Sequence, residues 1–465
     1  MNGPTGPTST TDTAGTVRAV RDAANATAVA RLLHSRPVLE TVAPAGDVVP
    51  GMTARTILVS GPPMPWRSYE GGQRRAVIGA ALYEGLARNE TEADALLSDG
   101  TLTVRASHDH ATVGSLTGVC TASMPVVVVR DEATGRRAFC RMNEGADRAS
   151  LTFGVWDEGV GTRLRHVSEV VSPALAETLD HMGGLPLTPL IRRALSMGDD
   201  LHSRHKAAGA LFRAAVLDAV LDLSAHRVGQ RHQALASYLR SAEYLFLHVV
   251  MAAAKAAADG ASHIAGSTLV TAMNLNEKQF GLRVSGLGQR WLTAPLPPES
   301  TLRGRLYDGW TTDDLAYVGG ESLITETIGL GGMAAAAAMP LQDHSAGTPA
   351  EMIRLTELMY DITLREHPEY RIPALAYRGV PCGIDVLRVA ETGIVPAIHL
   401  GATLRSGGHA GAVLFRPPIE PFQQAAQLLS LPVEPFEQAA QLPSVPVPPS
   451  APGTSPTPAR PGRTP

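Results

Sequence analysis

Cysteine is scarce in this sequence, and the three that occur, Cys120, Cys140 and Cys382, lie far apart. A disulfide framework needs an even set of cysteines, and a structural zinc site usually shows paired cysteines at short spacing. The sequence therefore excludes a small disulfide-stapled domain and a paired-cysteine zinc site. It favours a reducing compartment.

The sequence also lacks a charge excess and a long apolar run. The formal net charge is −4, so no basic surface for nucleic acid or an anionic membrane is indicated. The most apolar stretch, residues 244–258, is interrupted by His248 and Lys255, and the alanine-rich run at 333–340 is short compared with the ~20 residues of a membrane span. Residues 1–15 show no signal-peptide pattern. We expect a soluble cytoplasmic protein with small-molecule or protein partners.

What the sequence does contain predicts an α+β fold, with two mixed α/β domains and a helical domain or insertion between them. A chain of 465 residues exceeds the roughly 100–200 residues of one domain. The predicted divisions are a disordered leader (1–16), an N-terminal α/β domain (17–172), a helical domain (173–260), a C-terminal α/β domain (261–416) and a disordered Pro-rich tail (417–465). Within this tail, residues 420–433 are nearly duplicated as 434–447.

Hydrophobic periodicity predicts the individual elements. Strands are expected at 38–42, 56–60, 101–106, 268–273, 281–285, 322–327, 374–377 and 393–398, with a hairpin formed by 125–129 and 137–142. Helices are expected at 17–34, 74–88, 185–197, 207–224, 231–258, 331–339 and 348–366.

The densest polar cluster is Ser107, His108, Asp109 and His110, directly after a predicted strand. Residues two apart on extended backbone point the same way, so His108 and His110 can share a metal or act as acid and base. The alternative is a hydrogen-bonded loop with no chemical role. Both interpretations are open at this point.

A second cluster lies between two predicted helices and contains Asp199, Asp200, His202 and Arg204. An aspartate here can cap the following helix, while His202 and Arg204 can contact an anionic substrate. Helix capping accounts for at least one aspartate without any function.

Glycine marks a third candidate, where Gly329, Gly331 and Gly332 separate a predicted strand from an alanine-rich helix. Backbone N–H groups in such a turn can bind an anion, and close packing of helix on strand is the alternative. Arg283 and Ser285, on one face of a strand ending in glycines, form a further candidate anion contact. An ordinary exposed strand arginine is the competing interpretation. The spacing matches neither a dinucleotide-binding nor a Walker motif.

Taken in order along the chain, these stretches resemble the YahG/AllG-like (YlbE-like) bacterial family. The resemblance rests on VPGMTARTIL at 49–58, SGPP at 60–63, SHDH at 107–110, ALSMGD at 194–199, FGLRVSGL at 280–287 and ITETIGLGG at 324–332, and it extends over about residues 25–420.

This resemblance implies a subunit of an oxamate carbamoyltransferase-like complex of nitrogen or allantoin metabolism, with an FdrA-like subunit and a third subunit as partners. Such an enzyme moves a carbamoyl group between carbamoyl phosphate and an amide-type acceptor. An assembly subunit without catalysis, or a transferase redirected to another substrate, is the alternative. We expect proton handling by His108, His110 and Glu326, substrate binding by Asp199, His202, Arg204, Arg283, Ser285, Gly329, Gly331 and Gly332, and no metal or cofactor.

Overall fold

The computed structural model describes residues 10–145, 149–226, 230–345 and 347–430, which combine helices with several separate sheets. The strands are β1 (Pro37–Pro44), β2 (Thr56–Val59), β3 (Thr103–Ala106), β4 (Thr112–Val113), β5 (Pro125–Asp131), β6 (Arg137–Arg141), β7 (Leu185–Pro186), β8 (Val270–Leu275), β9 (Gln279–Val284), β10 (Leu292–Pro295), β11 (Arg303–Leu306), β12 (Thr363–Ile372), β13 (Arg378–Ile384), β14 (Ile398–Thr403) and β15 (His409–Phe415). The α+β prediction is confirmed.

The helices cover these sheets and connect them. They are α1 (Thr10–Leu33), α2 (Ala45–Val48), α3 (Gly72–Tyr83), α4 (Glu90–Ser98), α5 (Glu158–His166), α6 (Ser172–Met182), α7 (Thr188–Ser196), α8 (Lys206–His226), α9 (Gln230–Ser241), α10 (Leu245–Gly260), α11 (Ile324–Thr327), α12 (Gln342–Ser345), α13 (Pro349–Asp361), α14 (Val386–Thr392) and α15 (Glu420–Ser430). A π-helical segment, Val167–Val171, joins α5 to α6, and 3₁₀ turns include Ser107–His110, Ser285–Leu287, Gly331–Ala337 and Pro373–Leu375.

The largest sheet of the described residues has the strand order β4-β6-β5-β1-β7. Its β5–β6 pair is the predicted hairpin, and the turn is held by Asp131, whose carboxylate accepts hydrogen bonds from the Ala133 N–H at 3.2 Å and the Thr134 hydroxyl at 2.7 Å. Smaller antiparallel sheets follow in the orders β10-β9-β8 and β11-β15-β14, while β12 pairs with β13 and β2 runs parallel to β3.

Helix α10 occupies the centre of the fold. All of its residues except Asp259 are buried, and it packs against α1, α8 and α11 and against strands of the largest sheet. A helix that is apolar all round is expected to be covered on every side. His248 and Lys255 are buried with it. None of the described helices is both long enough and apolar enough to cross a membrane.

The buried apolar residues form three clusters, and the largest draws on all three of the predicted domains. It contains Leu39 of β1, Leu195 of α7, Val250 of α10 and Val380 of β13. Residues up to Ser430 group as one compact unit. The first repeat of the predicted tail forms helix α15 up to Ser430, with Phe422 fully buried, so the prediction of disorder from residue 417 is wrong there. Residues 431–465, which contain the second repeat, lie outside the described residues. The predicted domain boundaries stay a prediction.

Three segments predicted as strands have other conformations. Residues 324–327 form helix α11, residues 373–375 form a 3₁₀ turn, and the strand predicted at 393–398 begins only at Ile398. The β-branched residues of α11 favour a strand by propensity, but Thr325 donates its hydroxyl to the Ser322 carbonyl at 2.8 Å and Thr327 to the Ile324 carbonyl at 2.6 Å. In this helical turn the threonine hydroxyls are thus hydrogen-bonded to carbonyls nearby in the chain.

Several predicted helices differ from the observed ones in their bounds. The first begins at Thr10 rather than residue 17, and the one predicted at 231–258 is two helices, α9 and α10, separated at residues 242–244. The helix predicted at 348–366 ends at Asp361, and the chain continues as β12. Periodicity alone does not distinguish one long buried helix from two consecutive ones.

Truncating a buried side chain of α10 tests its central role. Phe246 is 1% exposed and its ring centroid lies 5.7 Å from that of Phe212. We expect Phe246→Ala to lower the free energy of unfolding by about 3–5 kcal/mol, measured by urea denaturation. The control Leu221→Ala, at a position 57% exposed on α8, should stay within about 0.5 kcal/mol of the parent. Equal effects of the two substitutions would contradict this account of α10.

Candidate functional site

A cavity of about 240 Å³ opens beside the N-terminal half of α10 and collects polar side chains from distant parts of the chain. We call it the histidine cavity. Its charged, histidine and tyrosine residues are Glu144, His202, Arg204, His205, Lys206, Glu243, Tyr244, His248, Tyr307 and His409. Apart from His202 and Arg204, none of these residues is among those predicted from the sequence.

Two buried histidine–carboxylate pairs form near this cavity, and of their four residues only His202 lines it. His202 Nδ1 is 2.7 Å from Glu326 Oε1, and His399 Nδ1 is hydrogen-bonded to Asp200 Oδ2. All four side chains are at most 3% exposed. Glu326 itself does not line the cavity and reaches it only through His202. Because Nδ1 of His202 is occupied, Nε2 is the ring nitrogen left for a ligand.

The local backbone holds these carboxylates in place. Asp200 Oδ1 accepts the Arg204 N–H at 2.7 Å and the His202 N–H at 3.2 Å, which closes the loop between α7 and α8. Glu326 Oε1 accepts the N–H groups of Gly332 at 3.1 Å and His399 at 3.2 Å. Each carboxylate thus ties together segments that are far apart in sequence.

In each pair, one residue has a shifted pKa that favours its charged form: Asp200 in one and His202 in the other. Burial raises the pKa of the Asp200 carboxyl, but the charge and hydrogen bond of His399 and the Arg204 N–H outweigh it and bring the pKa down to about 2. Burial lowers the pKa of His202, yet the nearby Glu326 and Asp200 carboxylates more than offset this, so the pKa lies above its usual range. His202 is therefore a stronger base than an ordinary histidine.

Asp199 and Arg204 lie in the loop between α7 and α8 and contact each other. Asp199 Oδ2 accepts the Ala208 N–H at 2.7 Å, so it caps the start of α8, and its Oδ1 lies 3.4 Å from Arg204 Nε. Burial, together with the charge of Asp200, raises the pKa of Asp199 to about 6 despite the Ala208 hydrogen bond. The Arg204 side chain is 32% exposed and lines the cavity, where a ligand can reach it.

The N–H groups of the glycine turn donate hydrogen bonds to carboxylates and carbonyls of the protein itself. Gly331 N–H donates to the Asp200 carbonyl at 2.8 Å, and Gly332 N–H donates to Glu326. Gly329 has φ +86°, and a Cβ there would lie 2.6 Å from the Pro381 carbonyl oxygen. The three glycines thus position the histidine–carboxylate pairs, and none of them lines the histidine cavity.

The remaining predicted residues lie elsewhere. His108 and Arg283 line a second pocket beside the C-terminal half of α10, together with Lys255. His110 Nδ1 is 2.7 Å from the Pro50 carbonyl and lines neither cavity. Ser285 donates its hydroxyl to the Ala261 carbonyl at 2.6 Å, which fixes the chain after α10. Within the described residues, no group of three or more His, Cys, Asp or Glu side chains is placed to hold a metal ion.

Sequence reasoning missed eight of the lining residues named above, among them Glu144, His205 and His248, and it also missed His399, which does not line the cavity. Both ring nitrogens of His205 and Nδ1 of His248 are buried without a hydrogen-bond partner, and burial lowers the pKa of both imidazoles. Glu144 is paired with buried Arg141 at 3.2 Å. The position of His248 could have been noticed in the sequence, because a histidine interrupts an otherwise apolar helix. No comparable sequence feature marks His399.

Comparisons with known proteins match this architecture. Residues 102–322 match the family described as oxamate carbamoyltransferase subunit AllG. The chain is 35% identical over 412 residues to the oxamate carbamoyltransferase subunit AllG of Escherichia coli K12, covering 88% of this chain and 97% of that protein. It is 37% identical over 405 residues to the uncharacterized protein YahG of the same organism, covering 87% and 84% respectively. The chain belongs to the YahG/AllG-like family.

A crystal structure of similar architecture supports the fold. The crystal structure of a conserved protein of unknown function from Enterococcus faecalis V583 superposes with a TM-score of 0.85 at 34% identity, covering 89% of this chain and 98% of that one. The resemblance to the YahG/AllG-like family inferred from the sequence is confirmed.

The contribution of the His399–Asp200 pair to the free energy of unfolding can be tested in this YahG/AllG-like chain. Asp200→Asn removes a buried carboxylate that His399 and two loop N–H groups contact, so the substitution should cost about 3–5 kcal/mol at neutral pH, measured by urea denaturation. The folded pKa is lowered to about 2 from 3.8, so the carboxylate's contribution is present above pH 3.8 and is lost as the pH falls towards 2. The difference in the free energy of unfolding between parent and variant should become smaller as the pH falls from 3.8 towards 2.

The control for this experiment is Asp222→Asn, at a side chain 68% exposed on α8, which should change stability little at any pH. A difference between parent and Asp200→Asn that stays constant from neutral pH to pH 3 would contradict the assigned charge state of Asp200.

Proposed function

We propose that this chain is a subunit of a carbamoyltransferase complex of the oxamate carbamoyltransferase type, and that the histidine cavity is where the carbamoyl group is transferred. The observation that carries the proposal is the His202–Glu326 pair at a cavity lined by Arg204, in a chain 35% identical to a protein named oxamate carbamoyltransferase subunit. The donor is carbamoyl phosphate and the acceptor is an amide-type nitrogen.

The chemistry needs a base, an anion contact and a dry site. The acceptor nitrogen attacks the carbonyl carbon of carbamoyl phosphate, a C–N bond forms, the C–O bond to phosphorus breaks, and phosphate leaves with the bonding electrons. In its neutral form, His202 accepts the proton of the attacking nitrogen at Nε2, and Glu326 holds the opposite ring nitrogen in place. Arg204 contacts the phosphate or the acceptor carboxylate, with greater effect in a partly buried cavity than in water.

The proposal includes partner subunits. AllG is named as a subunit, and the resemblance implies an FdrA-like subunit and a third protein alongside it. Lys206 and Glu243 form an exposed ion pair at the cavity mouth, where a partner can reach them. A cytoplasmic location stays part of this proposal.

The alternative is a non-catalytic assembly subunit. One observation favours it: Glu326, Asp200 and the N–H groups of Gly331 and Gly332 are all hydrogen-bonded to other parts of this chain. A purely structural network would look the same. The unpartnered nitrogens of His205 and His248 are not explained by that role, since buried polar atoms normally have a partner. A transferase redirected to another acceptor would keep the same cavity.

Substitution of Arg204 separates these functions. We expect Arg204→Gln to lower kcat/KM for phosphate release from carbamoyl phosphate and oxamate by about 10- to 100-fold, because a charged hydrogen bond to substrate is lost. The assay uses the chain co-purified with its FdrA-like and third subunits, and gel filtration monitors the complex. The control is Arg192→Gln, on α7, with a side chain 57% exposed outside the cavity.

Two outcomes would count against the catalytic assignment. Unchanged turnover in Arg204→Gln would remove Arg204 from the site. Loss of turnover accompanied by dissociation of the complex would support the assembly role.

Glu326 is a positioning residue in this proposal, and pH dependence tests it. Its carboxylate raises the pKa of His202, so Glu326→Gln should let His202 lose its proton at lower pH. If His202 acts as a base, the acidic limb of the pH–rate profile moves to lower pH, while kcat falls because the ring is held less firmly. A profile that keeps its position despite the substitution would contradict this role.

A further inference from the structure

The pocket beside the C-terminal half of α10 is lined mostly by polar and charged side chains. We call it the Lys255 pocket. It has a volume of about 190 Å³ and is lined by His108, Asp109, Lys255, Asp259, Arg283 and other residues, none of which also lines the histidine cavity. This volume is below the ~300 Å³ of a typical drug-sized site, so only a small ligand fits.

Two cations are buried at the inner end of this pocket. The Lys255 side chain is 4% exposed, and its Nζ donates to Asp259 Oδ1 at 2.7 Å and to the His108 carbonyl at 3.2 Å. The Arg283 side chain is 8% exposed, pairs with Asp109 Oδ1 at 2.5 Å, and lies over the Trp291 ring at 4.0 Å from its centroid. Buried charges of this kind cost free energy unless they are fully hydrogen-bonded.

These cations have hydrogen-bonding capacity left. An ammonium has three N–H groups, and two partners of Lys255 are observed; the Nε of Arg283 is buried without one. The carboxylates of Asp259 and Asp109 lie further out, with side chains 25% and 41% exposed. The pocket thus has free donors at its inner end and acceptors towards its rim.

His108 is the independent indication of a ligand. The residue is 3% exposed, lines the pocket, and has no hydrogen-bond partner on either ring nitrogen. Burial, with the charges of Lys255 and Arg283, holds its pKa well below the usual range, so the ring is neutral. A neutral imidazole offers one donor and one acceptor. Buried polar groups rarely stay unpaired, which indicates that a molecule in the pocket completes them.

We propose that the Lys255 pocket is a second ligand site, which binds a small molecule carrying one anionic group and a carboxamide or similar N–H donor. The anionic group contacts Lys255 and Arg283, and the N–H donors face Asp109, Asp259 and His108. Oxamate has both features, whereas acetate and phosphate have only the anion and acetamide only the amide. The site is separate from the histidine cavity, and the inference holds whether or not the carbamoyl transfer proposed above occurs.

Trp291 provides a local signal for the test, since it contacts both Arg283 and His108. The isolated full chain is titrated with oxamate, acetate, inorganic phosphate and acetamide while tryptophan fluorescence is recorded. We expect a saturable change with oxamate that disappears in Trp291→Phe, and binding at least about tenfold weaker for the three single-feature probes, because each loses charged or polar hydrogen bonds.

Variants assign the signal to the pocket. Lys255→Met removes the charge at similar length, and Arg283→Lys keeps the charge but loses the planar donor arrangement. Both substitutions should raise the Kd for oxamate at least about tenfold, with folding checked by circular dichroism. Arg204→Gln, in the histidine cavity, should leave this fluorescence response unchanged, so failure of this site and failure of the proposed transfer are distinguishable.

Three results would overturn the inference. One is the absence of a saturable change in tryptophan fluorescence with oxamate at concentrations up to tens of millimolar. Another is an unchanged response in folded Lys255→Met or Arg283→Lys. The third is acetate or phosphate binding as tightly as oxamate, which would remove the N–H donor from the ligand description.

Discussion

The burial of helix α10 is the constraint on which the rest of the structure depends. A helix apolar on all sides has to be covered by other elements, and here the largest sheet, α1, α8 and α11 cover it. These elements come from distant parts of the chain, so packing them on α10 brings polar residues from separate segments close together. His248, Lys255 and Asp259 are the polar exceptions within the helix, and each borders a cavity. The locations of both candidate sites therefore follow from the packing of one helix.

Local features of the site could be predicted from the sequence, and long-range ones could not. Asp199, Asp200, His202 and Arg204 are close in sequence, and their loop hydrogen bonds are local, as a polar segment between helices indicates. The partner of His202 is 124 residues away, and that of Asp200 is 199 residues away. No periodicity or motif specifies such pairings, because they depend on how separate elements pack on α10.

The failures in secondary structure have the same origin. Intrinsic preference favoured a strand at 322–327, but Glu326 in this segment accepts hydrogen bonds from the Gly332 and His399 N–H groups and contacts His202. A helical turn with threonine hydroxyls on its own carbonyls supports that arrangement. Tertiary contacts outweigh β-propensity, which spans only about 1 kcal/mol per residue. The hairpin at β5 and β6 was predictable because its turn is stabilised by residues within it.

The two cavities differ in polarity although they lie along the same face of α10. His248 and Lys255 are seven residues apart, which is two turns, so their side chains project in nearly the same direction roughly 10 Å apart. A ligand of the size that fits either cavity cannot contact both. Helix α10 connects the two cavities, and a helix packed on all sides does not shift without disturbing its neighbours. The geometry thus favours two separate candidate sites over one extended cleft.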